Sequence, residues 1–407
     1  MTPGGGPRRR AGVGPIAALL VAGALLVACS SPTGNPSSKP PAGGPLIGAA
    51  ASSSRVAELE AALTSALVER VYATAAARSA ALRDRSSSAG GTLDRGSLAL
   101  ADLLGAAGTD TRDPLAAALR RVDELQAADA RAAGSPDATR TRSELEQAQR
   151  DLATSIRRVV PALTVNQVSE RLLPDLAAQV AAGSETPYEG LRAAATRARE
   201  TARVVAAAIA EERRLGAPGA RAAALRADLT GLLTEHVLLT GSLAAELGGD
   251  GRLSAGATSA RAALDANTRA LTELVGVAYP AAAEPFGRGW SAHTTRLEAH
   301  AAEVAASGDT SGSDTGGGDT SGGNTSGGVL QDAPDQLAQL FAGTVEGLPV
   351  DRLAAELAPL IQAQLQALAA AARGAPEAAA DLRVAAARAT VPAALLAAAI
   401  AQHLRLG

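Results

Sequence analysis

Metal binding is the chemistry that the side chains of this sequence could best perform, because imidazole and carboxylate groups are common metal ligands. The candidate ligands are His236, His293, His300, Glu303 and Glu235. His293 and His300 are about 10 Å apart along a helix axis, so they cannot share one ion. His300 and Glu303 have the i, i+3 spacing of paired ligands, but the Glu-x-x-His motif of di-metal bundles is absent. The missing motif favours the alternative that the histidines are solvated or cap helix ends.

Motifs of other chemistries are absent or lie in unsuitable contexts. The sequence has no Ser/His/Asp arrangement, phosphate-binding loop, dinucleotide fingerprint or zincin motif. Asp314-Thr315-Gly316 matches the triplet of aspartic proteases, but it lies among Asp-Thr-Ser-Gly repeats rather than in a β-lobe. We therefore predict no catalytic residues.

The N-terminus has the features of an export signal. Arg8–Arg10 form a basic segment, Val13–Ala28 is apolar or small apart from one proline, and Ser30 begins a polar stretch. A basic segment, a short apolar segment and small residues at a cleavage point are typical of a secretory signal peptide. Cys29, the only cysteine, lies at the cleavage position. We therefore predict that residues 1–28 are a signal peptide.

The cleavage site, Leu26-Val27-Ala28-Cys29, resembles the lipobox of bacterial lipoproteins. The resemblance implies that Cys29 is lipidated and becomes the first mature residue. The alternatives are an uncleaved membrane anchor and an ordinary signal peptide with a chance cysteine. Residues 29–53 are rich in Ser, Pro and Gly, which predicts a flexible tether. The expected location is the extracytoplasmic face of the cell membrane, with the lipid anchor as the contact to the membrane.

The composition favours an all-α protein. The 407 residues are 47% hydrophobic but only 1% aromatic, so the apolar content is mostly Ala, Leu and Val. This composition forms helices well and aromatic-rich sheets poorly. A net charge of −3 and the scarcity of aromatic side chains argue against a nucleic-acid partner. A single cysteine excludes a disulfide framework and cysteine-based zinc or iron–sulfur centres.

An internal repeat covers the chain from about residue 55 to its end. Matched residues follow one another in the same order: Glu69 with Glu235, Leu100 with Leu271, Leu163 with Leu348, Arg192 with Arg383, and Ile209 with Ile400. The offset between matched residues only increases along the chain, as loop insertions after a duplication produce. Self-similarity at this long period indicates duplicated domains. We predict two tandem, homologous helical bundles, at 55–215 and 216–407.

Glycine- and proline-containing breakers divide each half into helical segments with Leu or Val at three- and four-residue spacing. The first half predicts helices near 54–83, 93–107, 113–133, 141–160, 164–182 and 187–214. The second half predicts helices near 218–247, 253–278, 281–307, 331–346, 349–373 and 375–405. Residues 308–328, built from Asp-Thr-Ser-Gly units, predict a disordered insertion. The short turns predict antiparallel bundles.

Acidic residues are matched between the halves. Asp94 and Asp265 are predicted to cap helix N-termini after glycine-rich turns. Glu69 and Glu235 are predicted to reach a facing arginine inside the bundle and to form a structural ion pair. The residue that follows the matched glutamate differs between the halves. It is Arg70 in the first half and His236 in the second half.

Four motifs of the second half are Leu229-Thr230-x-Leu232-Leu233-x-Glu235-His236-Val237, Ala263-Leu264-Asp265-x-Asn267-Thr268, Gly276-x-x-Tyr279 and Phe286-x-x-x-Trp290-x-x-His293. They resemble a family of duplicated all-helical exported lipoproteins of Gram-positive bacteria that is often labelled copper amine oxidase-like. The label implies copper as a ligand. The quinone-forming tyrosine motif and the His-x-His ligands of copper amine oxidases are absent, and Arg70 stands where the family has a histidine in the first half.

These observations lead us to expect a non-enzymatic interaction or ligand-holding module whose partner is an unidentified protein or small molecule. The alternatives are a metal-binding bundle that holds copper or iron, and an enzyme of unrecognised type. A metal site requires ligands that converge inside one bundle, and an enzyme requires a pocket with perturbed titratable groups. An interaction module requires an apolar surface groove. No cofactor is predicted beyond the copper that the resemblance implies.

Overall fold

The computed structural model describes residues 48–82, 89–105, 109–164, 167, 187–216, 220–249, 254–308 and 330–406. These residues form helices joined by turns and contain no strand, which confirms the predicted all-α class. They belong to one compact unit, Pro45–Gly407. The predicted signal peptide, Cys29, most of the tether, most of the helix at 164–182 and nearly all of the insertion at 308–328 lie outside the described residues.

Thirteen α-helices and a 3-10 helix at Pro280–Ala282 are described. The order of the α-helices follows the prediction except for α1, which lies within the predicted tether, and for the last predicted helix, which is divided in two. The first half contains α1 (Ala49–Ser52), α2 (Arg55–Leu82), α3 (Ala89–Gly105), α4 (Thr109–Ala132), α5 (Ala138–Val159) and α6 (Pro187–Arg213). The second half contains α7 (Arg221–Gly249), α8 (Ala255–Ala278), α9 (Ala283–Gly308), α10 (Ala333–Ala342), α11 (Val350–Ala372), α12 (Ala378–Arg388) and α13 (Thr390–Leu404).

The predicted last helix, 375–405, is divided into α12 and α13 at Ala389. Pro392 has no N–H to donate to the carbonyl of Arg388, so a helical hydrogen bond is missing at this point. Within the described residues, Ala378–Leu404 is the one stretch long and apolar enough to cross a membrane, and half of its apolar window is buried. A core helix of a folded protein can have the same length and apolar composition as this stretch.

The predicted N-caps Asp94 and Asp265 are wrong. α3 begins at Ala89 and α8 at Ala255, so both aspartates lie inside helices. The cap of α8 is Ser254, whose side-chain oxygen accepts a hydrogen bond from the N–H of Ala257 at 2.9 Å. The alanine-rich segment before Asp265 continues α8, because alanine has the highest helix propensity, whereas α3 includes Gly90 and Gly91 before Asp94.

The centre of the fold is α7. Every residue from Leu229 to Gly241 is buried, as expected for a helix that is apolar on all sides. α7 contacts helices of both halves, and its pairing with α2 is the most extensive among the described helices. The first long helix of each half therefore forms the axis around which the others pack.

The matched core positions are buried in both halves. Leu100 and Leu271 are 1% and 0% exposed, and Ile209 and Ile400 are each 1% exposed. This confirms the burial that the repeat predicts at these positions. One continuous cluster of buried apolar side chains includes residues of both halves. The division into two tandem bundles stays a prediction, since the halves share this core.

The two halves also share a similar pattern of helix contacts. α2 packs against α3, α4 and α6, and α7 packs against the matched helices α8, α9, α12 and α13. In addition, α6 contacts α8 of the second half, and α12 contacts α3 of the first half. Each half therefore packs its last helices partly against the other half.

A glycine allows α7 to approach α11 closely. A Cβ atom at Gly248 would lie 1.8 Å from the carbonyl oxygen of Ala372, a backbone atom that cannot rotate away. The next residue, Gly249, has no atom within 4 Å of its Cβ position. The helix packing therefore requires glycine at 248 but not at 249.

The described end of the predicted tether is ordered against the C-terminus. The N–H of Gly48 donates to the carbonyl oxygen of Leu406 at 2.6 Å, and α1 contacts α13. The chain therefore joins the folded unit beside the C-terminal end of α13.

Candidate functional site

Two ion pairs join the halves beside the central helices. Arg383 Nε lies 2.7 Å from Glu69 Oε1, and Arg192 Nε lies 3.4 Å from Glu235 Oε1. The arginines are matched in the repeat, as are the glutamates, so each half supplies an arginine to the glutamate of the other. The predicted structural ion pair is confirmed, with its partner in the opposite half.

Glu235 is held by several protein donors. The Tyr72 hydroxyl donates to Oε1 at 3.2 Å, and Asn267 Nδ2 donates to Oε2 at 3.0 Å. Arg199 Nη1 also lies 3.7 Å from Oε2. Because both carboxylate oxygens are engaged and the residue is fully buried, Glu235 is a structural anion rather than a free metal ligand.

Glu69 has a different electrostatic environment. Burial raises the pKa of Glu69 from 4.5 to about 7, although the charges of Arg383 and Arg95 oppose this shift. Desolvation is therefore larger than the attraction of the arginine. Near neutral pH, Glu69 is divided between its protonated and ionised forms.

The residue that follows Glu69 belongs to a closed polar network. Arg70 Nη2 donates to Asp123 Oδ1 at 2.6 Å, and Arg70 Nη1 donates to Ser97 Oγ at 3.2 Å. Ser97 Oγ in turn donates to Asp123 Oδ2 at 3.1 Å. Burial raises the pKa of Asp123, against the opposing effects of Arg70 and Ser97. The guanidinium of Arg70 and the carboxylate of Asp123 therefore each have hydrogen-bond partners, as charged groups removed from water require.

The matched place in the second half holds an aromatic cluster. His236 of α7 stands at the position of Arg70, and α9 supplies Trp290 and His293. The Trp290 ring centroid lies 4.9 Å from that of His236 and 5.6 Å from that of His293. The two imidazole centroids are 6.2 Å apart. The second half therefore replaces an ion-paired network with neutral aromatic rings, which we call the His–Trp cluster: His236, Trp290 and His293.

Aromatic residues are concentrated around this cluster. The chain contains one Trp and two Phe, and Phe286 and Phe341 lie with ring centroids 6.2 and 5.8 Å from that of Trp290. Both phenylalanines are buried. By the alignment of the halves, α4 has aliphatic residues where α9 has Phe286, Trp290 and His293, namely Leu115, Leu119 and Val122. The second half has thus acquired bulky rings at a place that the first half packs with aliphatic side chains.

Four polar atoms of the His–Trp cluster are buried and have no hydrogen-bond partner among the described residues. They are Nδ1 and Nε2 of His236, Nδ1 of His293 and Nε1 of Trp290. His236 and His293 are 2% and 3% exposed, so the expectation of solvated or capping histidines is wrong for these two. Apolar neighbours from two packed helices, which helical spacing alone does not reveal, remove them from water.

Burial also sets the protonation state of the two imidazoles. It lowers the pKa of His236 to about 4. For His293, burial together with the nearby His236 and Arg296 lowers the pKa to about 3. Both rings are therefore neutral at pH 7, and each has one nitrogen lone pair available to a ligand.

A surface depression of about 390 Å³ lies between α9 and α10 and is lined in part by His293. The other lining residues are Gly289, Ala292, Arg296, Ala333, Gln336, Leu337, Gln339 and Leu340. His293 therefore lies at the wall of this depression, although its side chain is buried.

The remaining predicted ligands are not part of the cluster. His300 is half-buried two helical turns beyond His293, and Glu303 is exposed. No group of three His, Cys, Asp or Glu residues placed to hold a metal ion occurs among the described residues. His403, at the end of α13, has its Nδ1 3.9 Å from Glu346 Oε2. Of the predicted candidates, the structure therefore brings His236 and His293 together.

Sequence reasoning did not identify Trp290 as the neighbour of two histidines. A signal was available, because Phe286, Trp290 and His293 are spaced by four and three residues and therefore share one helix face. The contact of that face with His236 depends on how α9 packs against α7, which helical periodicity does not specify.

Comparison of the chain with protein families, with curated proteins and with solved structures gives no match. The class that the structure defines is an all-α protein with a buried His–Trp cluster. Its function is therefore inferred from the chemistry of that cluster.

Proposed function

We propose that the protein is an exported lipoprotein, anchored to the extracytoplasmic face of the cell membrane through Cys29, and that it holds a small ligand without catalysing a reaction. The lipobox at Leu26–Cys29 supports the anchor. The His–Trp cluster, with unpartnered polar atoms in a buried place, is the single observation that most supports ligand holding.

The energetic cost of the cluster supports a functional role. A buried polar atom without a partner lowers the free energy of unfolding by about 1–3 kcal/mol. The first half fills the matched place with partnered groups, the Arg70–Asp123 ion pair, and with aliphatic side chains such as Leu119. Local features that reduce stability are expected mainly at functional sites.

The chemistry of the cluster supports binding rather than catalysis. The pKa values of His236 and His293, about 4 and about 3, make both imidazoles weak general bases at pH 7. The nearest buried carboxylate along the chain, Glu235, is engaged by Arg192, Tyr72 and Asn267. The imidazoles are therefore suited to donate lone pairs and poorly suited to move protons.

The stability of matched variants tests this proposal. His236→Leu and His293→Leu replace each imidazole by an apolar side chain of similar volume. In ligand-free protein, obtained by unfolding and refolding, we expect each variant to keep or raise the melting temperature, because an unpartnered polar atom is removed. A fall of several degrees in both variants would mean that the imidazoles serve to hold the core together, and the proposal would then be wrong.

The first half provides the control. Arg70→Leu, at the position matched to His236, breaks a satisfied buried ion pair and leaves Asp123 without its cation. We expect it to lower the free energy of unfolding by about 3–5 kcal/mol. The opposite responses of positions 70 and 236 would separate a structural network from a ligand site.

A further inference from the structure

The depression between α9 and α10 has a charged end and an apolar end. At one end, the guanidinium of Arg296 on α9 donates to the side-chain oxygen of Gln336 on α10. At the other end, a Cβ atom at Gly289 would lie 2.6 Å from Leu340 Cδ1. The two helices therefore run antiparallel along the depression, and Gly289 lies about 10 Å from Arg296 along the axis of α9.

The wall between these ends combines apolar side chains with the imidazole of His293. Ala333 and Leu337 of α10 are buried, and Leu340 is half-buried. The volume of about 390 Å³ is in the range of small-molecule sites. The lining therefore suits a small ligand that has an apolar body and one charged group.

His293 and Arg296 can bind the same charged group. They are three residues apart on α9, so their side chains are neighbours on one helix face, with Cβ atoms about 5–6 Å apart. Nδ1 of His293 is fully buried, so Nε2 is the ring nitrogen that can face the depression. A neutral imidazole carries one N–H. When that proton is on Nε2, His293 and Arg296 can donate to the two oxygens of one carboxylate.

The first half has a matched depression between α4 and α5, with a volume of about 310 Å³. The offset that relates Leu163 to Leu348 also matches α5 with α10. At this offset the buried residues of the two helices coincide: Leu152 with Leu337, Ile156 with Phe341, and Val160 with Val345. Asp151 of α5 then takes the place of Gln336 of α10.

The two depressions differ in charge. The lining of the first contains Arg121, Glu144 and Asp151, and Arg121 Nη2 lies 3.9 Å from Glu144 Oε2. The described lining of the second contains one cation, Arg296, and no carboxylate. Of the two, the depression in the second half is therefore the one suited to an anion, and the first half provides an internal comparison.

We propose that the ligand of this protein is a small carboxylate with an apolar body, bound in the depression between α9 and α10. Its carboxylate accepts hydrogen bonds from Arg296 and His293, and its apolar body lies along Leu337 and Leu340 toward Gly289. This inference rests on the proposed function, because it names the ligand class of the site to which His293 belongs. Binding forms and breaks no covalent bond.

A carboxylate is a better partner for Arg296 than its present one. The guanidinium is half-buried and donates to the neutral amide oxygen of Gln336. Hydrogen bonds between two ionised groups are roughly twice as strong as those between neutral groups. Gln336 is exposed, so its amide can turn to water when the ligand binds.

The experiment uses the mature chain with Cys29→Ser, freed of ligand by unfolding and refolding. Hexanoate, its neutral isostere hexanamide, and acetate are titrated at pH 7 by calorimetry. We expect hexanoate to bind with a Kd of about 1 mM or tighter, and hexanamide and acetate to bind about tenfold more weakly or less. Trp290, the only tryptophan, has its ring centroid 5.6 Å from that of His293, so its emission reports binding beside the cluster.

Variants locate the charged end of the site. Arg296→Gln should weaken hexanoate binding about tenfold or more and leave hexanamide binding unchanged, which shows that the depression is intact. Gln336→Asp introduces the carboxylate that the first half has at this place, so it should weaken hexanoate binding at least as much. Asp151→Gln is the matched control and should have no effect. His293→Leu should weaken hexanoate binding about three- to tenfold.

Three results would overturn the inference: no saturable binding of hexanoate by the parent chain, equal affinity for hexanoate and hexanamide, or unchanged hexanoate affinity in both Arg296→Gln and Gln336→Asp. In each case, the stability of the His236→Leu and His293→Leu variants still decides the proposed function. Raised stability would mean that the cluster holds a ligand of another class. Lowered stability would mean that the proposed function itself is wrong.

Discussion

The guanidinium of Arg383 lies 2.7 Å from the carboxylate of Glu69, which belongs to the other half of the chain. Arg192 makes the reciprocal contact with Glu235 at 3.4 Å. Each glutamate therefore receives its counter-charge from the opposite half. Because a buried ion is costly without its partner, this exchange couples the folding of the two halves.

Glu235→Gln is expected to be more destabilising than Glu69→Gln. The first change leaves Arg192 and Arg199 without a counter-ion inside the fold, and breaking a buried pair costs about 3–5 kcal/mol. The second removes a carboxylate whose ionised form is already disfavoured by burial. Urea unfolding of both variants measures the difference. Equal losses would contradict the unequal roles of the two glutamates.

The stability contributed by Glu69 should depend on pH with a defined sign. Below pH 4.5 the side chain is neutral in both states. Between about pH 4.5 and 7 the unfolded chain releases the proton while the folded protein keeps it, so the free energy of unfolding falls. The contribution lost is about 3 kcal/mol at most, and it is constant above the folded pKa.

Glu69→Gln should remove this component of the pH profile. We expect the stability difference between the parent protein and this variant to change between pH 4.5 and 7.5, as measured by urea unfolding at each pH. Glu273→Gln, which removes an exposed carboxylate, is the control for loss of a negative charge. A difference that is flat across this range would contradict the raised pKa of Glu69.

Two adjacent glycines should respond differently to a methyl group. Gly248→Ala places its Cβ against the carbonyl oxygen of Ala372 and should lower the free energy of unfolding by about 1–3 kcal/mol. Gly249→Ala meets open space, so its effect should be close to zero. Thermal unfolding of both variants tests the packing of α7 on α11. If alanine at 248 were tolerated as well as at 249, the two helices would not be this close.

The lipid anchor has its own test. Cys29→Ser removes the only acceptor for the lipid, so the exported protein should leave the membrane fraction. The single apolar stretch among the described residues, Ala378–Leu404, is half buried and is not expected to hold the protein there. Immunoblots of membrane and soluble fractions decide the question. A correctly cleaved mutant that stays in the membrane fraction would disprove the lipobox assignment.

Helical periodicity and the repeat predicted much of the fold, because both depend on local sequence. The paired burial of Leu100 with Leu271 follows from matched positions alone. The exchange of Arg192 and Arg383 between the halves was not predictable in this way, since the identity of a facing arginine depends on tertiary packing. The break at Ala389 was missed because Pro392 lies within an otherwise continuous apolar pattern.

The candidate site was only partly predictable. His236 and His293 were both identified as candidates, but they are separated by 57 positions in the sequence and meet only because α9 packs against α7. The Arg70 match gave no indication of a buried residue at 236, but in the structure His236 is buried and the Arg70 side chain is 12% exposed. The first half satisfies its buried charge with Asp123, and the second half removes the charge altogether.

Native mass spectrometry most directly tests whether the His–Trp cluster holds a ligand. The Cys29→Ser protein, isolated from cells that export it, is compared with the same protein also containing His236→Leu and His293→Leu. We expect the parent protein to exceed the mass of its denatured chain by one bound ligand. The double variant should show no excess. Identical native and denatured masses for the parent protein, or the same excess in the double variant, would contradict a ligand site at this cluster.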